Sequence, residues 1–288
     1  MARSAALCAG ATLLLALCSC TQLGLLALNS AARFEHYSRE TGIAYGPGAA
    51  NRLDVYLPIH PDHSPVVVFF FGGGWDSGDK SLYRFVGAAL ADAGIIAVLP
   101  NYSLYPQSKF PVYMQDAARA VAWARAHAAA LGGDPERLYA VGHSAGAQIA
   151  VMLALDEEYL RQVGGTSRWL RGAVGLAGPY DFLPFTDAYL NDLFGPPARF
   201  PSSQPINYVR ADAPPLLLMC GLADRRVNPD NTRHLAAAQS AAGGQVTTRY
   251  FAKAGHADLV VAFSSLRSGR LPVLAEIRGF VTTTPGSR

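Results

Sequence analysis

Five short stretches of this 288-residue chain are continuously apolar, and they constrain the fold more than any other feature: residues 66–71, 95–99, 138–141, 173–177 and 216–219. A run this short with no polar alternation suits a strand buried on both faces, as in a parallel sheet covered by helices on each side. The stretches between them supply those helices, with candidates at 82–93, 112–131, 147–159 and 231–242. Two further segments, 52–57 and 247–251, mix polar and apolar residues and read as strands at the sheet edges. Strands alternating with helices, without an internal repeat, imply one doubly wound α/β unit. Half of the residues are apolar and only 16% are charged, enough to fill the core such a sheet needs. Residues 180–213, rich in proline, aromatic and polar residues, have no period and read as irregular cover.

At the end of the 138–141 strand stands Gly142-His143-Ser144-Ala145-Gly146, directly before a helical pattern. This is the GxSxG nucleophile elbow in its strand-to-helix setting. A serine on so tight a turn adopts a strained backbone and exposes its hydroxyl, and glycines two positions to either side remove side chains that would collide. The helix behind it adds a positive N-terminal dipole where negative charge develops. A small-residue turn that only packs a helix on a sheet can carry the same letters; the flanking elements are what favour a nucleophile.

A second glycine cluster, Gly72-Gly73-Gly74 followed by Trp75, comes directly after the 66–71 strand. Here backbone N–H groups can approach a substrate oxygen, and the candidate oxyanion donors are Gly73, Gly74 and Ala145. Seven histidines could serve as base, but around this elbow the acid and then the histidine follow the serine in chain order, which leaves His234 and His256. His256 lies in a loop after the 247–251 strand, whereas His234 lies inside a helical pattern, so His256 is the candidate base. Asp224, in the loop after 216–219, is the candidate acid. Its competitors are Asp181, after an earlier strand, and Asp258, which adjoins His256 too closely; loop hydrogen bonding and helix capping account for them.

These pieces together resemble the α/β-hydrolase fold esterases with an HGGGW or HGGxW motif, including the feruloyl-esterase-like and arylformamidase-like groups. Further matches are Asn101-Tyr102-Ser103-Leu104-Tyr105-Pro106, Phe110-Pro111 with Asp116, Gly133-Asp134-Pro135, and the segment from Gly221 to Asp224. The likeness runs from about Arg52 to the C-terminus. It implies a mostly parallel sheet of about eight strands flanked by helices, and a serine hydrolase of carboxylic esters with Ser144, His256 and Asp224 as its triad, acting on a small-molecule ester with no cofactor and no metal. Trp75, Tyr102 and Tyr105 are the candidate substrate-binding residues. One residue departs from the pattern: Phe71 stands where these esterases carry a histidine that braces the loop by hydrogen bonding. Other readings are an arylformamidase-like amidase, a peptidase, or a non-catalytic surface lipoprotein that uses the fold as a binding scaffold.

Residues 1–32 read as a targeting segment and 33–288 as the catalytic domain. Residues 5–28 are largely apolar after Arg3, and Leu17-Cys18-Ser19-Cys20 resembles a bacterial lipobox, with Cys20 the candidate lipidation site. Cleavage near Ser30-Ala31-Ala32 and an uncleaved membrane helix are the alternatives. Each exports the domain, and the expected location is the periplasmic side of a bacterial membrane, held by a lipid or anchor. Cys220 is the one cysteine in the body, so no disulfide framework is possible there. A net charge of +3 without a basic run argues against a nucleic-acid partner.

Overall fold

The apolar runs become strands because side chains leave a strand alternately to its two faces, so a run without polar interruption needs a layer on each side. The computed structural model describes residues 36–266 and 269–283, together with 24, 27–30 and 32. The expected lipidation site, Cys20, lies outside the described residues. Eight strands form one sheet in the order β1-β2-β4-β3-β5-β6-β7-β8. They are β1 (Ser38–Ala44), β2 (Arg52–Leu57), β3 (Ser64–Phe70), β4 (Ile96–Pro100), β5 (Gly133–His143), β6 (Leu170–Leu176), β7 (Leu216–Gly221) and β8 (Val246–Phe251). From β4 to β8 every neighbouring pair is parallel, while β1 and β2 join antiparallel. The helices are α1 (Arg84–Asp92), α2 (Val112–His127), α3 (Ala145–Leu155), α4 (Glu157–Arg161), α5 (Ala188–Phe194), α6 (Asp230–Ala241), α7 (Asp258–Val261) and α8 (Val273–Thr283). The mostly parallel sheet flanked by helices thus matches the architecture the sequence implies.

Three details differ from the sequence reading. Arg52–Leu57 is not at an edge: β1, whose residues are nearly all exposed, covers it, and β2 is correspondingly buried at four successive positions. The helix expected over 147–159 is two helices. Asp156 leaves α3 in an extended conformation, and its side chain accepts the Glu158 N–H to start α4. The irregular cover at 180–213 contains one short helix, α5, and two 3₁₀ turns, Pro197–Ser203 and Pro205–Tyr208.

Strand and helix order places the site. The segments after β3, β5, β7 and β8 all emerge at the same carboxyl edge of the parallel sheet, which is where open α/β sheets bind ligands. Every residue of α3 is buried, so the helix that begins at the elbow is fixed by the core rather than by solvent.

Candidate active site

Ser144 lies between the last residue of β5 and the first of α3, with φ 57° and ψ −123°. A non-glycine residue holds such a conformation only when its surroundings impose it. The surroundings here are backbone: a Cβ on Gly142 would lie 2.0 Å from the Gly146 carbonyl oxygen, and a Cβ on Gly146 would lie 2.1 Å from that of Phe70. Only glycine permits this strand–helix contact, which explains both glycines of the motif. The Ser144 N–H is already bonded to the Leu176 carbonyl at 2.9 Å, so the amide next to it, that of Ala145, is the one left at the helix start.

Opposite the hydroxyl stands His256, in the loop between β8 and α7. Its Nε2 lies 2.9 Å from Ser144 Oγ and its Nδ1 lies 2.8 Å from Asp224 Oδ2. The Asp224 side chain is fully buried, and its other oxygen accepts the backbone N–H groups of Arg226 and Val227 at 2.8 and 3.0 Å. Those two bonds aim the free oxygen at the imidazole. With a carboxylate at Nδ1, the proton sits on that nitrogen and Nε2 is left as acceptor for the serine hydroxyl. Burial pushes the imidazole below its ordinary value of 6.5, against the Asp224 hydrogen bond that raises it, so the ring is neutral and basic at pH 7. The two groups set aside in the sequence, His234 and Asp181, pair with each other at 2.7 Å rather than with the elbow. Asp258, the first residue of α7, accepts the Gly255 N–H at 2.7 Å, a bond that holds the loop rather than capping the helix.

The glycine loop lies against the nucleophile: a Cβ on Gly72 would be 2.9 Å from Ser144 Cβ. Three successive carbonyls of this loop are tied back. The Tyr102 hydroxyl donates to the Phe71 oxygen at 2.8 Å and the Tyr83 hydroxyl to the Gly72 oxygen at 3.2 Å. The Gly73 oxygen accepts the Ser77 N–H and hydroxyl at 3.1 and 2.9 Å. By contrast, the amides of Gly73, Gly74 and Ala145 have no hydrogen-bond partner among the described residues. Backbone donors left unpaired beside a buried serine form the arrangement that stabilises an oxyanion.

Phe71 takes part in this bracing. Its ring stacks between Tyr102, centroids 4.5 Å apart, and Tyr83, centroids 5.7 Å apart. Burial raises both phenols, Tyr83 to about 12, so both hydroxyls stay protonated donors. The hydrogen bonds that phenylalanine cannot make are made by its two stacking partners.

Of the three aromatic residues expected to bind substrate, two are buried supports and Tyr105 is partly exposed. Tyr102 is only 2% exposed and spends its hydroxyl on the Phe71 carbonyl, so it supports the loop. Trp75 is buried against Phe182 and Phe194, and its indole N–H donates to Gln148 at 3.3 Å. Tyr105 is half-buried, but its hydroxyl donates to Asp192, tying it to the cover helix α5. The residue that does face the loop is Tyr189 of α5: a Cβ on Gly74 would lie 3.3 Å from its hydroxyl oxygen. Only the fold of the aperiodic cover brings it there, and no local pattern singles it out. Cys220 is buried with its thiol raised by burial, an inert position.

A family model described as BD-FAE matches residues 53–238. Among curated relatives, the isoprenylcysteine alpha-carbonyl methylesterase ICME of Arabidopsis thaliana is 29% identical over 79% of this chain and 58% of its own length. Esterase LipQ of Mycobacterium tuberculosis is 31% identical over 72% of this chain and 54% of its own. The chain therefore spans a little over half the length of these relatives. Among solved structures, esterase 2 of Thermogutta terrifontis superposes with a TM-score of 0.70 at 25% identity, covering 84% of this chain and 93% of that one. An esterase of Pyrobaculum calidifontis gives 0.77 at 20% identity, covering 92% and 91%. The fold is that of the α/β-hydrolases.

Proposed function

This chain belongs to the BD-FAE family, and on that premise we propose that it is a serine hydrolase cleaving carboxylic esters through an acyl-enzyme. The observation that carries the reading is the continuous line from Asp224 through His256 to Ser144, 2.8 and 2.9 Å per link, beside three unpaired amides. The names of its relatives, a methylesterase and an esterase, have a carboxylic ester in common as the bond acted on.

In this reading Ser144 Oγ attacks the ester carbonyl carbon as its proton passes to His256 Nε2. The carbonyl π electrons move onto oxygen, where the amides of Gly73, Gly74 and Ala145 stabilise the anion, each worth about 2.7 to 4 kcal/mol of barrier. Collapse re-forms the carbonyl and breaks the bond to the alcohol oxygen, which takes the proton from His256 and leaves. Water, deprotonated by the same imidazole, then attacks the acyl carbon, and collapse breaks its bond to Ser144 Oγ, which takes the proton back from His256 as the acid leaves. Asp224 stays ionised, holding the tautomer and stabilising the imidazolium in between.

The test is turnover of short p-nitrophenyl esters by the purified chain and by Ser144→Ala. Hydrolysis by the first and none by the second supports the reading; equal turnover overturns it. The leader supports an exported, lipid-anchored protein, for which Cys20→Ala abolishes metabolic labelling by a fatty acid; unchanged labelling rules that out.

A further inference from the structure

We infer that His143, the variable residue of the GxSxG motif, is a positioning residue that clamps the base loop onto the nucleophile elbow by donating its Nε2–H to the backbone carbonyl of His256. This rests on the esterase reading of Ser144 and His256 and adds a residue to its machinery.

The geometry is direct. His143 Nε2 lies 3.1 Å from the His256 carbonyl oxygen, and the two rings lie 4.8 Å apart at 46°. A carbonyl oxygen can only accept, so Nε2 carries the proton. Nδ1 is buried without a partner, 3.0 Å from where a Cβ on Gly72 would sit, and is therefore the unprotonated nitrogen. The ring is 5% exposed, and burial first, then the neighbouring His256, lower its pKa to about 3. A neutral ring is what the chemistry requires, since a cation there would oppose the imidazolium that forms on His256.

The position explains why this bond counts. On its acid side the base loop is already fastened: Leu222 N–H donates to the Phe251 oxygen at 2.9 Å and Ala223 N–H to the Ala254 oxygen at 3.0 Å. Gly255 is held by Asp258 at 2.7 Å. Toward the serine, the His143 bond fastens the base's own peptide. His143 immediately precedes Ser144, so this bond ties the nucleophile's neighbour directly to the base. A shift of about 1 Å in such a pair can cost about 100-fold in rate.

Two variants of the full chain separate positioning from mere packing. His143→Phe keeps a ring but loses the donor, whereas His143→Gln puts an amide N–H where Nε2 stood. The expected result is a kcat about 10- to 100-fold lower for His143→Phe with KM little changed, and recovery of most of the loss in His143→Gln. Unchanged kcat in a folded His143→Phe, or equal losses in both variants, overturns the clamp while leaving the esterase reading intact. An unmutated chain without ester turnover overturns both. Nitrogen NMR of the unmutated chain gives a reading independent of how the variants fold: His143 protonated on Nε2 at neutral pH supports the clamp, and protonation on Nδ1 refutes it.

Discussion

Two loops close on Ser144, and they are held by different means. The glycine loop after β3 is fixed from behind by aromatic side chains of the core: Phe71 lies between Tyr83 and Tyr102, and their hydroxyls hold the carbonyls of Phe71 and Gly72. The base loop after β8 is half-buried and fixed by polar contacts, from its neighbour loop, from Asp258 and from His143. In the proposed mechanism the difference follows from what each loop does. The first must hold amides rigid without moving a proton, so it can share its supports with the hydrophobic core. The second carries a titrating ring whose proton affinity depends on polar neighbours, so it is built from hydrogen bonds. Substitutions in the first should cost stability together with activity, and substitutions in the second should cost activity almost alone.

The largest effect belongs to the polar partner of the base loop, Asp224 in the neighbouring loop after β7. Asp224→Asn leaves an imidazole of similar position but without the partner that fixes its tautomer, and a drop in kcat of about 10⁴-fold is expected, as for serine triads generally. Its melting temperature should change little compared with that loss; a variant that unfolds before it loses activity would break the contrast between the loops. Next comes Phe71→Ala, which empties a fully buried site inside the stack and should cost about 3 to 5 kcal/mol of stability, read as a lower urea midpoint. A Phe71→Ala protein of normal stability and reduced kcat would show that the stack is not a core support. Smaller again is Tyr102→Phe, which keeps the ring but orphans the buried Phe71 carbonyl at a cost of about 1 to 3 kcal/mol. The loss should appear in both stability and kcat, because that carbonyl and the Gly73 amide are coupled through the loop.

The same contrast explains what the sequence made legible. Ser144, Asp224 and His256 are found from the elbow motif and chain order alone, because each stands in a loop after a recognisable strand, and the structure brings the three together. The five apolar runs are all strands, because burial on both faces leaves no polar residue to confuse the pattern. Where a strand carries charge, the reading falls short: β5 begins at Gly133, ahead of its apolar run, since Asp134, Glu136 and Arg137 lie on it before the core begins. β1 escapes notice because it is exposed and gains its place only by pairing with β2. The braces of the site are illegible for a related reason. Tyr102, Tyr83 and His143 act through contacts with carbonyls distant in sequence or shape, and an aromatic residue near a glycine loop looks the same whether it faces substrate or core.

The finest distinction lies in pH dependence. In the proposed mechanism His256 is the general base and works only while unprotonated, so below its pKa the expected kcat/KM falls about tenfold per pH unit. Burial, the larger influence, holds that pKa below 6.5, and the hydrogen bond and charge of Asp224 act in the opposite direction. The acid limb of the profile is therefore expected below pH 6.5, and in Asp224→Asn, where burial and then the nearby Arg226 charge remain and both lower the pKa, the residual activity should have its limb displaced further toward acid. Tyr102→Phe, in the loop that carries no proton, should leave the limb where it is while lowering the plateau. A limb that moves with Tyr102→Phe as well would mean that the two loops share one electrostatic environment, and their separate designs would then have to be read as one.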